Sequence, residues 1–338
     1  MGKGAKGAEG MRNDFLYRQT DEPHAERKKA ILAKYGEEIN KLQGSDWRPA
    51  PFVVAIVFFQ LAVAYYQKDY LHSNIAFFLF AWVIGGALNH ALSLMTHELS
   101  HNLLFKEGPK PWKNQYFGIF CNVAMGIPSS TTFKKYHLDH HRNQGDHDID
   151  TDIPTFIEGK LFRNPFTKAI WLLLQPAFYA LRPCLVSPKS MEFMDYVNAL
   201  TIVATDLLIV KFCGLRGLLY LILSSLLGMG FHPVAGHFIS EHYVFDPLPD
   251  KETQYETYSY YGPLNLICWN VGYHNEHHDF PNVPGWRLPQ VRKIAPEFYD
   301  NLPQCHSWSY CLYRYVMDPN IGPFNRVLKD KKGSKKSN

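Results

Sequence analysis

The segments His137-Leu138-Asp139-His140-His141 and His274-Asn275-Glu276-His277-His278 repeat one pattern, His-x-x-His-His. Residues three and four apart share a helix face, so each segment gathers three imidazoles on one side. A third segment, His97-Glu98-Leu99-Ser100-His101, adds two more at the i, i+4 spacing. Eight of the sixteen histidines therefore occupy three short windows. A single i, i+4 pair arises easily on any solvated helix; three clusters, two of one pattern, do not. Imidazole suits iron, zinc, copper and nickel. Eight such ligands exceed the roughly four of a structural zinc, so the count points to two metal ions sharing one cavity. Glu98, Asp139 and Glu276 lie inside these windows and are expected to orient ring N–H groups.

The chain around them is apolar in blocks. Of 338 residues, 46% are hydrophobic, yet the mean hydropathy is only −0.23, too low for a chain that mostly spans a membrane. A polar catalytic portion carried on a few membrane helices fits better. The net charge of +4 is small, and no segment interleaves basic with aromatic residues, so no nucleic-acid partner is expected. Six cysteines are scattered without a C-x-x-C pair, which argues against a zinc ribbon, a redox dithiol or a disulfide framework. The first fifty residues are polar and carry no signal-peptide pattern. Met1-Gly2 followed by Lys6 only half-matches the myristoylation motif, so lipidation is not expected.

Pro51 to Tyr66 and Asn74 to Met95 are apolar runs joined by a short polar turn, and read as a helical hairpin through the bilayer. The second run leads directly into His97 and His101. Seven residues before His97, on the same face, His90 reads as a packing or supporting residue. Val197 to Phe212 and Gly217 to Phe231 form a second hairpin, turning at Cys213-Gly214-Leu215-Arg216. Asp206 within it is expensive in lipid and is expected to reach the far interface. Stretches 114–128 and 166–183 are also apolar but are interrupted by Gly126, Pro128, Pro176 and Pro183. An even number of crossings must separate histidine clusters that share a site, so both stretches are read as interfacial.

The expected fold class is an all-α membrane protein, with two transmembrane hairpins (four spans), interfacial helices and a cytosolic histidine-rich dimetal domain. Its parts are an N-terminal cytosolic or interfacial region (1–50), the first hairpin (51–95), a cytosolic region with the first two clusters (96–196), the second hairpin (197–231), a region with the third cluster (232–318) and a basic tail (319–338). Within the first part, Glu22 to Leu32 reads as a charged helix, lying on the membrane or soluble. Lys and Arg fall mostly on the histidine side, which the positive-inside rule assigns to the cytosol. Lys335 and Lys336 stand fourth and third from the end, like a dilysine retrieval signal of endoplasmic reticulum membrane proteins.

A membrane-held, cytosol-facing dimetal site suggests oxidation of a lipid, since iron with open positions activates dioxygen. A ninth ligand is expected from Ser240-Glu241-His242-Tyr243. His242 is favoured because it follows an acidic residue, with His237 as the other candidate. The acidic loop Asp146-His147-Asp148-Ile149-Asp150-Thr151-Asp152 lacks the central Gly and final Glu of an EF-hand, and is expected to shape the site entrance or to support the metal ligands from behind rather than hold calcium.

Three boxes of the form His-x-x-x-His, His-x-x-His-His and His-x-x-His-His resemble the membrane fatty-acid desaturase and hydroxylase superfamily. Asn270-Val271-Gly272-Tyr273-His274-Asn275-Glu276-His277-His278-Asp279-Phe280-Pro281 is similar to the sphingolipid delta-4 desaturases in particular. So are Glu256-Thr257-Tyr258-Ser259-Tyr260-Tyr261-Gly262-Pro263-Leu264-Asn265 and Asp21-Glu22-Pro23-His24-Ala25. The likeness runs over roughly residues 14 to 318. It implies introduction of the 4,5-trans double bond of dihydroceramide to give ceramide, with two Fe2+ ions, dioxygen as oxidant, and electrons from NADH through cytochrome b5 and its reductase. The implied ligands are His97, His101, His137, His140, His141, His242, His274, His277 and His278; His242 resembles the extra iron ligand of alkane hydroxylases in the wider superfamily. His232-Pro233-Val234-Ala235 is not the haem-binding His-Pro-Gly-Gly, so the electron donor is expected to be a separate protein. Three residues between the histidines of the first box, and a His opening the third, favour a sphingolipid over an acyl-CoA or phospholipid.

Two other readings belong beside this one. The same fold could act as a sphingolipid C4-hydroxylase or do both reactions, because both begin at C4. A membrane metal transporter would instead place its ligands at mid-membrane on broken helices, whereas these clusters lie beyond the spans.

Overall fold

Uncharged apolar runs set the bundle, and the charged segments between them fold over one of its ends. The computed structural model describes residues 12–18, 20–108, 111–247 and 255–330, so Gly2 and the Lys335-Lys336 pair lie outside the described residues. In chain order the elements are β1 (Leu16–Arg18), α1 (His24–Leu42), α2 (Ala50–Tyr70), α3 (Asn74–Phe80), a π-helical turn at Ala81–Gly85, α4 (Gly86–Ser100), α5 (Trp112–Met125), α6 (Ser130–Asn143), α7 (Phe156–Leu161), α8 (Pro165–Val186), α9 (Phe193–Met229), α10 (Gly236–Ser240), β2 (Ser259–Tyr260), α11 (His274–Asp279), α12 (Leu288–Ile294), β3 (Gln304–Cys305), α13 (Trp308–Met317) and β4 (Val327–Lys329). The strands form two short parallel pairs, β1 with β4 and β2 with β3. The protein is otherwise helical.

Four helices are long and apolar enough to cross a membrane: Ala50–Gln67, Asn74–Ser100, Pro165–Val186 and Phe193–Met229. The last is a hairpin. Gly214 has φ 75° and ψ 168°, a left-handed backbone that glycine tolerates, and it breaks α9 there. Asn198 Nδ2 donates to Asn122 Oδ1 at 3.1 Å and Ser225 Oγ donates to the Met125 carbonyl at 2.8 Å. Asn122 and Met125 are one turn apart, whereas a straight helix would separate Asn198 from Ser225 by about 40 Å. The chain therefore doubles back at Gly214, where the second hairpin is expected. Arg216 in this turn bonds Gln67 Oε1 (3.0 Å), Asn74 Oδ1 (2.8 Å) and the Leu71 carbonyl (2.9 Å), tying the two hairpin tips together.

Inside the bundle the packing is close and partly polar. A Cβ on Gly228 would lie 2.2 Å from the Gly86 carbonyl oxygen, so α4 and α9 touch backbone to backbone. Asn89 on α4 reaches the Ala124 and Leu221 carbonyls (3.1 Å each), and accepts from Gln60 Nε2 at 2.6 Å. Tyr220 Oη donates to Gln60 Oε1 at 2.7 Å. One buried network thus joins α2, α4, α5 and α9. Phe52, Phe58, Leu200, Leu207 and Leu215 stay exposed, an apolar outer surface suited to lipid.

The two interrupted stretches pack differently from the hairpins. α5 is 14 residues, about 21 Å, too short for a bilayer core of about 30 Å. It dips along α4 and α9, then turns at Gly126 (φ 67°) and returns through α6. Asp206 is turned toward Gly126, inside the bundle, rather than out to the far interface, and its Oδ1 has no partner among the described residues. α8 is long enough to span, but both its ends are pinned to the polar body. Lys168 Nζ donates to the Asp318 and Ile321 carbonyls (2.7 and 2.9 Å), and Arg182 forms a two-pronged ion pair with Glu158 (2.9 and 2.8 Å). Phe166, Leu173, Leu181 and Leu185 face outward from it.

The termini described by the structure are not loose. α1 buries Ile31, Ile39 and Leu42 against Phe280, Val283, Leu288 and Val291, so it packs on the polar body as a soluble helix does. The segment from residue 319, expected as a basic tail, is buried from Ile321 to Leu328. Its Arg326 is fully buried and paired with Glu256 through two 3.0 Å bonds. An inward arginine is invisible to a reading that scores basic residues as solvated.

Candidate metal centre

α4 delivers His97 and His101 at its C-terminal end, α6 delivers His137, His140 and His141, and α11 delivers His274, His277 and His278. His242 follows α10. His97, His101, His137, His141 and His277 bring one ring nitrogen each to within 4.8 Å of one another, as do His140, His242 and His278. In the first group Nε2–Nε2 distances are 2.9 Å (His101–His137), 3.1 Å (His137–His141) and 3.1 Å (His141–His277). In the second they are 3.1 Å (His140–His242), 2.9 Å (His242–His274) and 3.1 Å (His274–His278), so His274 belongs to that group. His141 and His278 stack at 4.3 Å where the groups adjoin. All nine expected residues converge. His237 does not; its Nδ1 meets His90 Nε2 at 3.0 Å and the Val234 carbonyl at 3.2 Å.

Carboxyl groups stand behind several of the rings, and one of them hydrogen-bonds His140. His140 Nδ1 lies 3.0 Å from Asp150 Oδ1 and 3.7 Å from Asp152 Oδ2. His274 Nδ1 lies 3.5 Å from Glu241, His242 Nδ1 lies 3.9 Å from Glu256 and 3.4 Å from the Gln144 amide, and His97 Nδ1 lies 3.7 Å from Glu98. A carboxylate behind Nδ1 keeps the proton there and leaves the Nε2 lone pair facing inward. Burial and neighbouring imidazoles hold His101, His137, His141, His242, His274, His277 and His278 well below the ordinary imidazole pKa, so these rings are neutral. Burial lowers His140 too, but Asp150 and Asp152 outweigh it and raise its pKa. Neutral rings with inward lone pairs about 3 Å apart repel one another unless a cation sits between them. The donor set fits metal ions, and five nitrogens beside four fit two of them.

Residues 73–309 match the family model described as fatty acid desaturase, and residues 11–48 match the one described as sphingolipid delta4-desaturase (DES). The chain belongs to the sphingolipid delta(4)-desaturase family. It is 49% identical over 322 residues to sphingolipid delta(4)-desaturase DES1 of Drosophila melanogaster, covering 95% of this chain and 97% of that protein. Against the DES1 of Homo sapiens it is 46% identical over 327 residues, covering 97% and 98%. Against sphingolipid delta(4)-desaturase/C4-monooxygenase DES2 of Bos taurus it is 48% identical over 320 residues, covering 94% and 95%.

Several residues around the desaturase site differ from the sequence expectation. Asp139 pairs with Lys189 and Glu276 accepts from Ser259 Oγ and Tyr261 Oη (2.8 Å each), so neither orients a ring. Each sits one or two places from its neighbouring histidines, on another side of the helix. Burial lifts the Glu276 carboxyl to about 7. The carboxylates that do reach rings, Asp150, Glu241 and Glu256, come from loops whose approach no local periodicity encodes. His24 is a further residue that spacing could not place. Its ring stacks 4.9 Å from His278, and its Nδ1 is 2.8 Å from Asp279 Oδ1. A cavity of about 560 Å3, lined among others by Thr257, Asn275, Cys305 and Arg314, lies beside the second group. Thr257 connects to it through Gln144, behind the His242 ring, and through His24, which stacks on His278.

Proposed function

We propose that this chain converts dihydroceramide to ceramide, setting the 4,5-trans double bond in the endoplasmic reticulum membrane with its site facing the cytosol. Two Fe2+ ions would be held by His97, His101, His137, His141 and His277 on one side, and by His140, His242, His274 and His278 on the other. Dioxygen is the oxidant, and electrons come from NADH through cytochrome b5 and its reductase. The observation that carries the reading is the convergence of nine inward ring nitrogens at the end of two apolar hairpins, in a chain of this family.

When bound, an iron pair supplies the dioxygen-derived oxidant that removes hydrogen from an unactivated methylene. The chain's own residues do the rest. Asp150, Glu241, Glu256 and Glu98 aim the rings from behind. Burial of all eight box histidines except His101 and His141, which are half-buried, keeps bulk water from the reacting carbon. The hairpins hold the site beside the membrane surface, where a lipid substrate arrives.

The test is metal analysis of the purified chain coupled to a dihydroceramide assay with NADH and cytochrome b5. About two irons per chain and ceramide formed only with dioxygen are expected; one closed zinc, or no turnover, would overturn the reading. His140→Ala and His277→Ala should each abolish turnover and lower metal content while leaving membrane insertion intact. The C4-monooxygenase in the bovine relative's name favours a second product from the same site. Separating ceramide from phytoceramide measures its share.

A further inference from the structure

On the seam between α8, α10 and α13, three buried side chains carry polar atoms without a hydrogen-bond partner among the described residues: Gln175 Nε2 and Oε1, Trp308 Nε1 and Tyr315 Oη. Gln175 is 1% exposed, and both halves of its amide are unpaired. Leaving a buried polar group unmet is costly, so a partner from outside the chain is the natural complement. Its place is defined by its neighbours. Trp171 and Tyr179 lie one turn to either side of it on the same face. Trp171 packs 6.2 Å from Tyr243, next to His242, and Tyr179 packs 5.2 Å from Phe238, next to His237. Arg182, further along that face, donates to the carbonyls of Thr151 and Asp152, and the Asp152 carboxylate stands 3.7 Å from His140 Nδ1. The face of α8 that carries Gln175 thus walls the second histidine group. Its opposite face, with Leu173, Leu181 and Leu185, is exposed and apolar.

We propose that Gln175 is a positioning residue for the substrate head group: its Oε1 accepts a hydrogen bond from the N–H of an amide-linked sphingoid base. The inference rests on the sphingolipid-desaturase reading and deepens it. The amide nitrogen is carried on C2, two bonds from C4. Fixing that nitrogen therefore fixes which methylene faces the histidine cluster, something an apolar channel, blind to a one-carbon slip, does poorly.

The test uses the full chain in lipid nanodiscs and N-octanoyl dihydroceramide, with its N-methylated amide as the comparison ligand. Equilibrium binding, KM, kcat and thermal unfolding are measured for the native chain and for Gln175→Leu, with Gln175→Met as the closer-shaped second variant. Gln175→Leu should unfold at the same or a higher temperature, because it removes an unpaired amide. It should weaken binding and raise KM about five- to tenfold, with a smaller change in kcat. N-methylation should weaken binding by a similar factor in the native chain and not in the variants. Equal affinity of native and variant chains for the N–H ligand would overturn the proposal, assigning the amide to water. So would an equal loss for both ligands with lowered stability, which marks a packing role. A native chain that binds dihydroceramide but never desaturates it would refute the function above, and the binding comparison would still decide Gln175.

Discussion

Asp150 governs how His140 presents itself. Its Oδ1 is 3.0 Å from His140 Nδ1, while its Oδ2 accepts from the Gly145 amide at 3.1 Å, so the carboxylate is itself held in place. Asp150→Asn keeps the shape but removes the charge that fixes the ring proton on Nδ1. Metal affinity should fall roughly ten- to a hundredfold, measured as metal retained during chelator titration, with membrane insertion unchanged. Asp279 anchors the N-terminal helix in a similar way. It is 1% exposed and accepts from Arg27 Nε at 2.6 Å, Arg27 Nη2 at 2.9 Å and Tyr299 Oη at 2.9 Å. Arg27→Ala strands that carboxylate in the interior, and about 3 kcal/mol of stability should be lost. In thermal unfolding, adding Asp279→Asn should recover part of that loss, because the two residues act as one unit. Eight of the nine inward histidines were readable from spacing because i, i+3 and i, i+4 place rings on one helix face; His242 was favoured only for the acidic residue before it. Arg27 and His24 were not readable in this way, since their partners lie 252 and 255 residues away in sequence; for Asp150 the acidic loop could be assigned to the site, but not the ring it supports.

At the scale of elements, the close crossing of α4 and α9 is the feature most open to test. Gly228→Ala would put a methyl 2.2 Å from the Gly86 carbonyl oxygen, and neither backbone can yield without moving its helix. The expected loss is about 1–3 kcal/mol, read as a lower unfolding temperature of the solubilised protein. Gly36→Ala in α1, where nothing lies within 4 Å of the added carbon, is the control and should be neutral or slightly stabilising. Hydropathy located the hairpins well, because two apolar runs joined by a short polar turn have few other uses. It could not fix the fate of α8. Composition alone makes Pro165–Val186 a span, whereas Lys168 and Arg182 bond both of its ends to the polar body. Nor could it show α5 and α6 dipping into the bundle, because their buried contacts, such as Asn122 with Asn198, are scattered polar pairs with no period.

For the whole molecule, the two hairpins put everything outside them at one end. Arg216 marks the other end, where the hairpin tips meet. The matched segment 11–48 overlies the third histidine cluster through Arg27 and His24, and the C-terminal strand β4 pairs with β1 beside Glu256. Both ends of the described chain therefore close over the same site, and membrane sidedness follows from one choice for the entire body. The sequence itself contains no Asn-x-Ser/Thr acceptor, so the native chain gives no glycosylation background. An acceptor inserted through a short polar loop at Gly214 should be glycosylated in endoplasmic reticulum microsomes, whereas one inserted after Asp148 or after Asp246 should not. Mobility shifts that vanish on deglycosylation provide the measurement. Modification at the two histidine-side sites, with none at Gly214, would put the site in the lumen, away from the cytosolic electron supply that the proposed reaction requires.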